Sequence, residues 1–284
     1  MIFEKASAKI NLTLDILHKR DDGYHEVEMV MTMIDLYDRL TFERLNENKI
    51  VIESESRYVP DDRRNLAYQA AELFKKKTNI TDGVRIIIDK NIPVAAGLAG
   101  GSSDAAATIR GMNRLFNQRL TSKEMEQIGE EIGSDVPFCI KGGTQLARGR
   151  GEKLQEIPPL PSCYVVLAKP NIGVSTKEVY SRVNLNELKH PKTNSLLSAL
   201  KEENFNQVCK YLENVLEPIT IDMHKEIAHI KERMVKSDAE GVLMSGSGPT
   251  VFALTVQETK AERIYNSLRG FCSEVYVVRS LGSS

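Results

Sequence analysis

The chain has 284 residues, of which 41% are hydrophobic and 27% are charged, and its formal net charge is -1. This length is sufficient for one large or two ordinary domains, and the composition is typical of soluble globular proteins. A near-neutral charge gives no general attraction to nucleic acid or to anionic membranes. No apolar run approaches the ~20 residues that span a bilayer, and the N-terminus lacks a signal-peptide pattern. We therefore expect a cytoplasmic protein that binds neither nucleic acid nor membranes.

The four cysteines are far apart in the sequence and form no Cys-x-x-Cys pair. They are Cys139, Cys163, Cys209 and Cys272. This spacing argues against a zinc or redox motif and predicts reduced, mostly buried thiols.

The first predicted element is a strand over residues 8–17, where apolar and polar residues alternate. The alternation predicts a half-buried strand that carries Lys9 and Asn11 together on the face opposite the core. A solvated face with an incidental lysine is the alternative. An Asp-Gly turn follows, and a second strand is predicted over 27–36. Tyr24 and His25 lie where the turn meets this strand, a position that is compatible with a purely structural role.

A glycine-rich stretch follows the strand-like run 84–88 and precedes a helical pattern. It contains Gly97, Gly100 and Gly101, and two serines and Asp104 come directly after them. Glycine permits positive φ and a close approach of ligand to backbone, and a helix start offers unpaired N–H groups and a positive dipole end. The order strand, loop, helix thus predicts a phosphate-binding loop. A turn capped by Ser102 or Asp104 is the alternative. Walker, dinucleotide and protein-kinase signatures are absent from the sequence.

The remaining patterns predict an α+β protein with two domains. A strand pair is predicted over 40–54, a helix with Asn65 as its N-cap, and a helix over 122–132. Asp135 is expected near another helix start, where it could simply be a capping residue. Three prolines within residues 156–161 exclude helix and central strand, so we place a domain boundary there, giving domains 1–156 and 157–284. After it, strands at 163–168, 241–244, 251–255 and 274–279 and a helix at 258–269 predict an α+β sandwich.

Three motifs resemble, in the same order, those of the GHMP kinases, a family named for galactokinase, homoserine kinase, mevalonate kinase and phosphomevalonate kinase. They are the strand with Lys9 and Asn11, the loop at 93–107, and Gly-Ser-Gly-Pro-Thr at 246–250. The resemblance implies a nucleotide-binding N-terminal α/β domain and a C-terminal α+β sandwich, with the active site in the cleft between them. It also implies ATP as phosphoryl donor, with Mg²⁺ expected on its phosphates.

The segments 8–12, 22–26 and 133–138 narrow the resemblance to members that phosphorylate the 2-hydroxyl of a cytidine-diphosphate-linked methylerythritol in the non-mevalonate route to isoprenoids. It implies that Asp135 takes the hydroxyl proton and that Lys9 orients the hydroxyl and stabilises charge near the γ-phosphate. The implied ATP-binding residues are Asn65, near the adenine, and a phosphate loop made of Pro93, Val94, Ala95, Ala96, Gly97, Leu98, Ala99, Gly100, Gly101, Ser102 and Ser103. The implied substrate-binding residues are Asn11 on the polyol, Tyr24 and Tyr180 flanking the cytosine, His25 on its edge, and Thr176. No metal ligand is assigned.

Departures from the family pattern leave alternatives open. Ala95, Ala96 and Ala99 stand where members often carry glycine, and Tyr180 stands where phenylalanine is expected. Another acceptor, such as homoserine or mevalonate, would keep the family but change the substrate, although neither has a base to stack on. A non-catalytic regulatory relative is the third possibility, and the intact Lys9 and Asp135 argue against it. A monomer and a homodimer are both compatible with the sequence.

Overall fold

The computed structural model describes residues 1–282. The chain forms two compact units, each assembled from separate stretches of sequence. Among the described residues, the first unit comprises 1–8, 36–94 and 99–142, and the second comprises 9–35, 95–98 and 143–282. The two longest strands, β1 (Ile2–Lys19) and β2 (His25–Leu45), contribute residues to both units.

The first unit combines a small sheet with four helices. β3 (Ile50–Glu53) runs parallel to β4 (Gly83–Asp89), and β4 pairs in antiparallel fashion with the end of β2. Helices α1 (Leu66–Thr78) and α2 (Gly100–Leu115) pack on each other, as do α3 (Ser122–Glu130) and α4 (Val136–Lys141). Because β4 leads directly towards α2, the glycine-rich stretch lies between a strand and a helix, as predicted.

The second unit contains two sets of paired strands. β5 (Thr144–Gly149) pairs with both β2 and β6 (Lys153–Glu156), while β8 (Glu213–Asn214) pairs in parallel with β1. A separate antiparallel sheet has the order β11-β7-β10-β9, with β7 Tyr164–Lys169, β9 Gly241–Met244, β10 Val251–Thr255 and β11 Glu274–Arg279. The helices of this unit are α5 (Thr176–Ser181), α6 (Thr193–Lys201), α7 (Phe205–Lys210), α8 (Glu217–Met223), α9 (Lys225–Lys236) and α10 (Glu258–Leu268), with a 3-10 turn at Leu185–Glu187. Since α9 and α10 pack on the four-stranded sheet, the predicted α+β sandwich is confirmed.

The prediction of a half-buried first strand is wrong. Every residue from Ala8 to Ile16 is buried, and Lys9 and Asn11 are only 4% and 0% exposed. The polar face is covered by protein and its groups find partners there. A pattern of alternation cannot distinguish a solvated polar face from one that is buried and hydrogen-bonded.

Two further boundaries differ from the prediction. The strand expected to end near residue 36 continues without interruption to Leu45, and α3 ends at Glu130 rather than at residue 132. The chain bends at residues 46–48, but the strands on either side of this bend do not form the pair expected over 40–54, because each of them pairs with β4. Asp38 interrupts the apolar pattern of β2, yet its carboxylate is buried and accepts hydrogen bonds from the main-chain N–H groups of Asn91 and Ile92. A partner more than 50 residues away therefore keeps this polar residue inside the strand.

All four cysteines are buried, as predicted, and within residues 1–282 none of them forms a disulfide. Burial raises the pKa of Cys163 to about 11 and that of Cys209 to about 12, so these side chains remain protonated at neutral pH. Within residues 1–282, no helix is long and apolar enough to cross a membrane.

Candidate active site

The glycine-rich stretch adopts a backbone that alternates into the left-handed region. Ala95, Gly97 and Ala99 have φ values of 52°, 74° and 58°. Only glycine enters this region without steric cost. Two of these three left-handed positions are therefore occupied by alanine, where the family pattern often has glycine.

Helix α2 begins directly after this loop, with Ala99 at its N-cap and no side-chain cap. Because Gly100 starts the helix, Ser102 and Asp104 lie inside it, and the alternative of a turn capped by either residue is wrong. In an α-helix the N–H groups of the first turn lack intrahelical partners and lie at the positive end of the dipole. A helix start of this kind can bind phosphate, and phosphate binding by this loop stays a prediction.

Ser103 differs from the other predicted phosphate-loop residues because its donors already have partners. Its N–H donates to Ala99 O at 2.8 Å, and its hydroxyl donates to Ser7 O. The side chain is 1% exposed and holds the start of α2 against the beginning of β1. Its role as a phosphate ligand stays a prediction.

A buried charge cluster anchors both ends of the loop within the first unit. Lys90, at the end of β4, donates to the carboxylates of Asp38 and Asp104, the latter at 2.8 Å. Asp104 Oδ1 has no hydrogen-bond partner among residues 1–282. Burial raises the pKa of Asp104 to about 8, against the attraction of Lys90. Two carboxylates around one ammonium would otherwise leave an uncompensated buried charge, so a protonated Asp104 is the physically favoured state.

Asn65 is the N-cap of α1, as predicted. Its Oδ1 accepts from Ala67 N at 2.9 Å and its Nδ2 donates to Pro60 O at 2.8 Å. Both side-chain groups therefore stabilise local structure. Proximity to adenine stays a prediction.

Asp135 lies at the start of α4 in the first unit and is half-buried. Its side chain makes no capping hydrogen bond to the helix, so the alternative of a purely capping aspartate lacks support. Pro137 lies in the first turn of α4, where its missing N–H costs nothing.

Lys9 and Asn11 form a buried pair on one face of β1 in the second unit. Lys9 Nζ donates to Asn11 Oδ1 at 2.7 Å. The main chain of the same strand also reaches the phosphate loop, since Lys9 N donates to Leu98 O at 3.1 Å. The lysine is thus held at a fixed orientation beside residues 95–98 of the loop.

The loop at residues 245–250, which we call the small-residue loop, contacts several of the predicted site residues. Ser245 Oγ donates to Gly97 O at 2.9 Å, and a Cβ at Gly97 would lie only 2.3 Å from Ser245 O. Ser247 Oγ lies 2.9 Å from Thr176 Oγ1. A Cβ at Gly246 would lie 3.6 Å from Asn11 Oδ1. Small residues are therefore required here by close packing, and the loop connects the predicted phosphate-binding and substrate-binding positions of the second unit.

Of the predicted cytosine-binding residues, Tyr24 lies in the turn before β2, His25 is the first residue of β2, and Tyr180 lies in α5. The rings of His25 and Tyr180 lie 5.4 Å apart, tilted by 45°. Tyr24 is exposed, and the Arg150 guanidinium lies 5.2 Å from its ring centre. Burial and the nearby charge of Lys19 lower the pKa of His25, so its imidazole is neutral at pH 7 and can both donate and accept a hydrogen bond.

Contacts in the second unit thus connect Lys9, Asn11, Gly97 and Thr176 to one another through the small-residue loop, and His25 to Tyr180. Asn65, Ser103 and Asp135 belong to the first unit. Sequence analysis assigned no role to Ser245 or Ser247, although the Gly-Ser-Gly-Pro-Thr pattern pointed to their loop. Within residues 1–282, no group of three or more His, Cys, Asp or Glu side chains could hold a metal ion.

Two family models match the chain, one on each side of residue 156. The model "GHMP kinases N terminal domain" matches residues 65–143, and "GHMP kinases C terminal" matches residues 196–274. Together they cover more than half of the sequence. The chain therefore belongs to the GHMP kinases, enzymes that use ATP as phosphoryl donor, and the α+β fold predicted from the motifs is confirmed.

Individual relatives with high sequence identity to the chain share one protein name. The chain is 58% identical over 281 residues to the 4-diphosphocytidyl-2-C-methyl-D-erythritol kinase of Bacillus licheniformis, covering 99% of this chain and 97% of the relative. The enzyme of that name from Bacillus subtilis is 57% identical over the same length. Among solved structures, a 4-(cytidine 5'-diphospho)-2C-methyl-D-erythritol kinase matches with a TM-score of 0.85 at 31% identity, covering all of both chains. The mevalonate kinase of L. major shares the fold, with a TM-score of 0.78 at 18% identity, covering 100% of this chain and 97% of that one.

Proposed function

We propose that this kinase phosphorylates the 2-hydroxyl of 4-diphosphocytidyl-2-C-methyl-D-erythritol, in the non-mevalonate route to isoprenoid precursors. The observation that carries the proposal is the full-length similarity, at 57–58% identity, to kinases of that name. At this similarity over nearly the whole chain, the acceptor pocket has little room to differ in kind from that of these relatives.

The aromatic residues of the second unit support a substrate with a nucleobase. Every nucleobase has a face that stacks on an aromatic ring, and Tyr24 and Tyr180 supply such rings. A neutral His25 beside Tyr180 can pair with the edge of a neutral cytosine. Homoserine and mevalonate have no base, so these aromatic rings and the His25 imidazole would have no nucleobase to bind in either compound.

Phosphoryl transfer requires mainly positioning and neutralisation of charge. In the proposed reaction, the acceptor oxygen forms a bond to the γ-phosphorus, the bond from that phosphorus to the β-bridging oxygen breaks, and ADP leaves. The N–H groups of the loop and of the first turn of α2 would hold the phosphates. Mg²⁺ would arrive as part of the MgATP substrate, which needs only one or two protein oxygens and no dedicated cage.

Asp135 would receive the proton of the acceptor hydroxyl as its oxygen attacks, and Lys9 would orient this hydroxyl and stabilise the developing negative charge. The hydrogen bond from Lys9 Nζ to Asn11 Oδ1 supports the role of Lys9, because it fixes the direction of the ammonium group.

Three properties remain predictions: the domain boundary between residues 156 and 157, a cytoplasmic location, and the choice between monomer and homodimer.

The direct test is ADP release from MgATP with three acceptors supplied separately: 4-diphosphocytidyl-2-C-methyl-D-erythritol, homoserine and mevalonate. We expect turnover with the cytidine compound alone. Turnover with another acceptor would retain the family and overturn the substrate. Binding of ATP without turnover of any acceptor would favour the non-catalytic alternative.

The proposed base is tested by Asp135→Asn. We expect kcat to fall by about 10²–10⁴-fold, because an amide cannot accept the proton, while ATP affinity measured by calorimetry stays near that of the wild type. Glu131→Gln is the matched control, since Glu131 lies four residues away in an exposed ion pair with Lys77, and its kinetic constants should not change. Equal loss of ATP binding and of turnover in Asp135→Asn would instead make Asp135 a structural residue.

A further inference from the structure

The small-residue loop is fixed in place by Asn214, a residue outside every sequence motif. Asn214 is 3% exposed and ends β8, opposite Leu14 of β1. Its Nδ2 donates to the carbonyl oxygens of Met244 and Gly246, both at 2.8 Å, and its Oδ1 accepts from Leu216 N at 2.9 Å. The amide group of Asn214 thus donates both of its hydrogen bonds to main-chain carbonyl groups where the chain enters the small-residue loop.

Two side chains of α8 add contacts next to that amide. Glu217 Oε1 accepts from Met244 N at 2.9 Å, and the other oxygen of the carboxylate pairs with Lys231. Thr220 Oγ1 lies 3.3 Å from Ser247 O. Among these groups Asn214 alone bonds to Gly246, where an added Cβ would lie 3.2 Å from Gly97 O and 3.6 Å from Asn11 Oδ1.

The small-residue loop passes this constraint on to the predicted ligand-binding positions. Ser245 bonds to Gly97 of the phosphate loop, and Ser247 bonds to Thr176 of the substrate side. We propose that Asn214 is a positioning residue that sets the geometry of both the ATP-binding and the acceptor-binding side of the second unit through the small-residue loop. The proposal deepens the proposed function and rests on it for the identity of the acceptor.

The physical basis is the cost of removing the amide. Two buried carbonyl oxygens would lose their donor, and a buried acceptor without a partner is unfavourable. The loop is therefore expected to shift until those oxygens find water or another donor. A displacement of about 1 Å of a positioning element can lower the rate by as much as 10²-fold.

The first experiment compares Asn214→Ala with the wild type at a temperature where circular dichroism shows both to be fully folded. We expect kcat/KM to fall about 10–100-fold for ATP and for the acceptor alike. Ser237→Ala is the matched control. Ser237 is also buried and hydrogen-bonds to Arg233 O and Ser267 Oγ at the end of α9, away from the loop. The Ser237→Ala substitution should lower the melting temperature and leave the kinetic constants unchanged. The same behaviour in Asn214→Ala would overturn the proposal.

Asn214→Asp provides a readout that loss of packing alone would not give. Burial and two facing carbonyls raise the pKa of a carboxyl at this position. Protonated, it donates one hydrogen bond to Met244 O or Gly246 O. Ionised, it repels both. The ratio of kcat/KM in Asn214→Asp to that in wild type should therefore rise as pH falls from 9 to 6, whereas the ratio for Asn214→Ala should stay flat. The charged groups around the loop, Glu217, Lys231 and Lys9, are present in all three proteins and cancel in the ratio. Two flat ratios would contradict a positioning role.

The affinity for ATP, measured by calorimetry without acceptor, separates this proposal from the proposed function. A wild type that binds ATP but does not phosphorylate the cytidine compound refutes the proposed substrate. A loss of ATP affinity of tenfold or more in Asn214→Ala would still support the role of Asn214, and an unchanged affinity would count against it.

Discussion

Asp104 is a residue whose protonation should make the stability of the protein depend on pH. Its carboxyl is buried beside Lys90 and Asp38, and burial raises its pKa to about 8. The unfolded chain holds the same carboxyl near its ordinary pKa of about 3.9. Between these values the folded protein binds one more proton than the unfolded chain, so the free energy of unfolding decreases as pH rises through this range.

Asp104→Asn should remove this pH dependence. The amide mimics the protonated acid, and its oxygen can still accept from Lys90. We expect the free energy of unfolding of the variant to exceed that of wild type at pH 7, by a margin that grows on the order of 1 kcal/mol per pH unit between pH 5.5 and 7.5. Urea denaturation of both proteins at three pH values measures this difference in the free energy of unfolding. The control is Asp222→Asn. The native Asp222 carboxylate is exposed, pairs with Lys225 and has a lowered pKa. If the free energy of unfolding changed with pH in the same way in wild type and in Asp104→Asn, a raised pKa of Asp104 would be contradicted.

At the scale of elements, the predicted phosphate loop places alanine at two positions of left-handed backbone. Ala99 is the N-cap of α2 at a φ of 58°, and Ala95 has a φ of 52°. The left-handed conformation costs alanine about 1–2 kcal/mol, whereas the extra freedom of glycine in the unfolded chain costs about 0.4–1 kcal/mol. The steric term is the larger of the two.

Ala99→Gly should therefore stabilise the protein by up to about 1 kcal/mol. Chemical denaturation measures the change, and Ala96→Gly is the control within the same loop. Ala96 is buried and is absent from the residues with positive φ among the described part of the chain. Glycine there brings only the entropic cost and should destabilise. If both variants lose stability, the strain at Ala99 is relieved elsewhere.

Strands whose apolar runs are bounded by turns could be predicted from the sequence, whereas the continuity of β2 and the burial of the polar face of β1 could not. The strands at 241–244, 251–255 and 274–279 were predicted at their observed bounds because their apolar runs end at turns. The continuity of β2 was missed because the partners of Asp38, the main-chain groups of Asn91 and Ile92, lie far along the chain. The burial of Lys9 was missed for a related reason: its partner Asn11 is two residues away, but the cover over both is not encoded locally.

At the scale of the whole molecule, the compact units do not follow the linear order of the chain. Among the described residues, the second unit takes up 9–35 and 95–98 as well as 143–282. Val215 N, for example, donates to Leu14 O, and Leu281 N donates to Met33 O. Composition predicts a proline-rich linker at 156–161, but composition carries no information on which distant strands will pair. The candidate site follows the same rule, since the motif residues were predictable and Asn214, which acts through them, has no local signature.

The burial of all four native cysteines makes this chain suitable for site-selective labelling. A thiol reagent attacks the thiolate, and Cys163 and Cys209 are both inaccessible and fully protonated at neutral pH. A cysteine introduced at Val94, a 42% exposed residue of the predicted phosphate loop, would then be the preferred target for a fluorophore without removal of any native cysteine. Such a probe would report nucleotide binding at the loop as an optical signal.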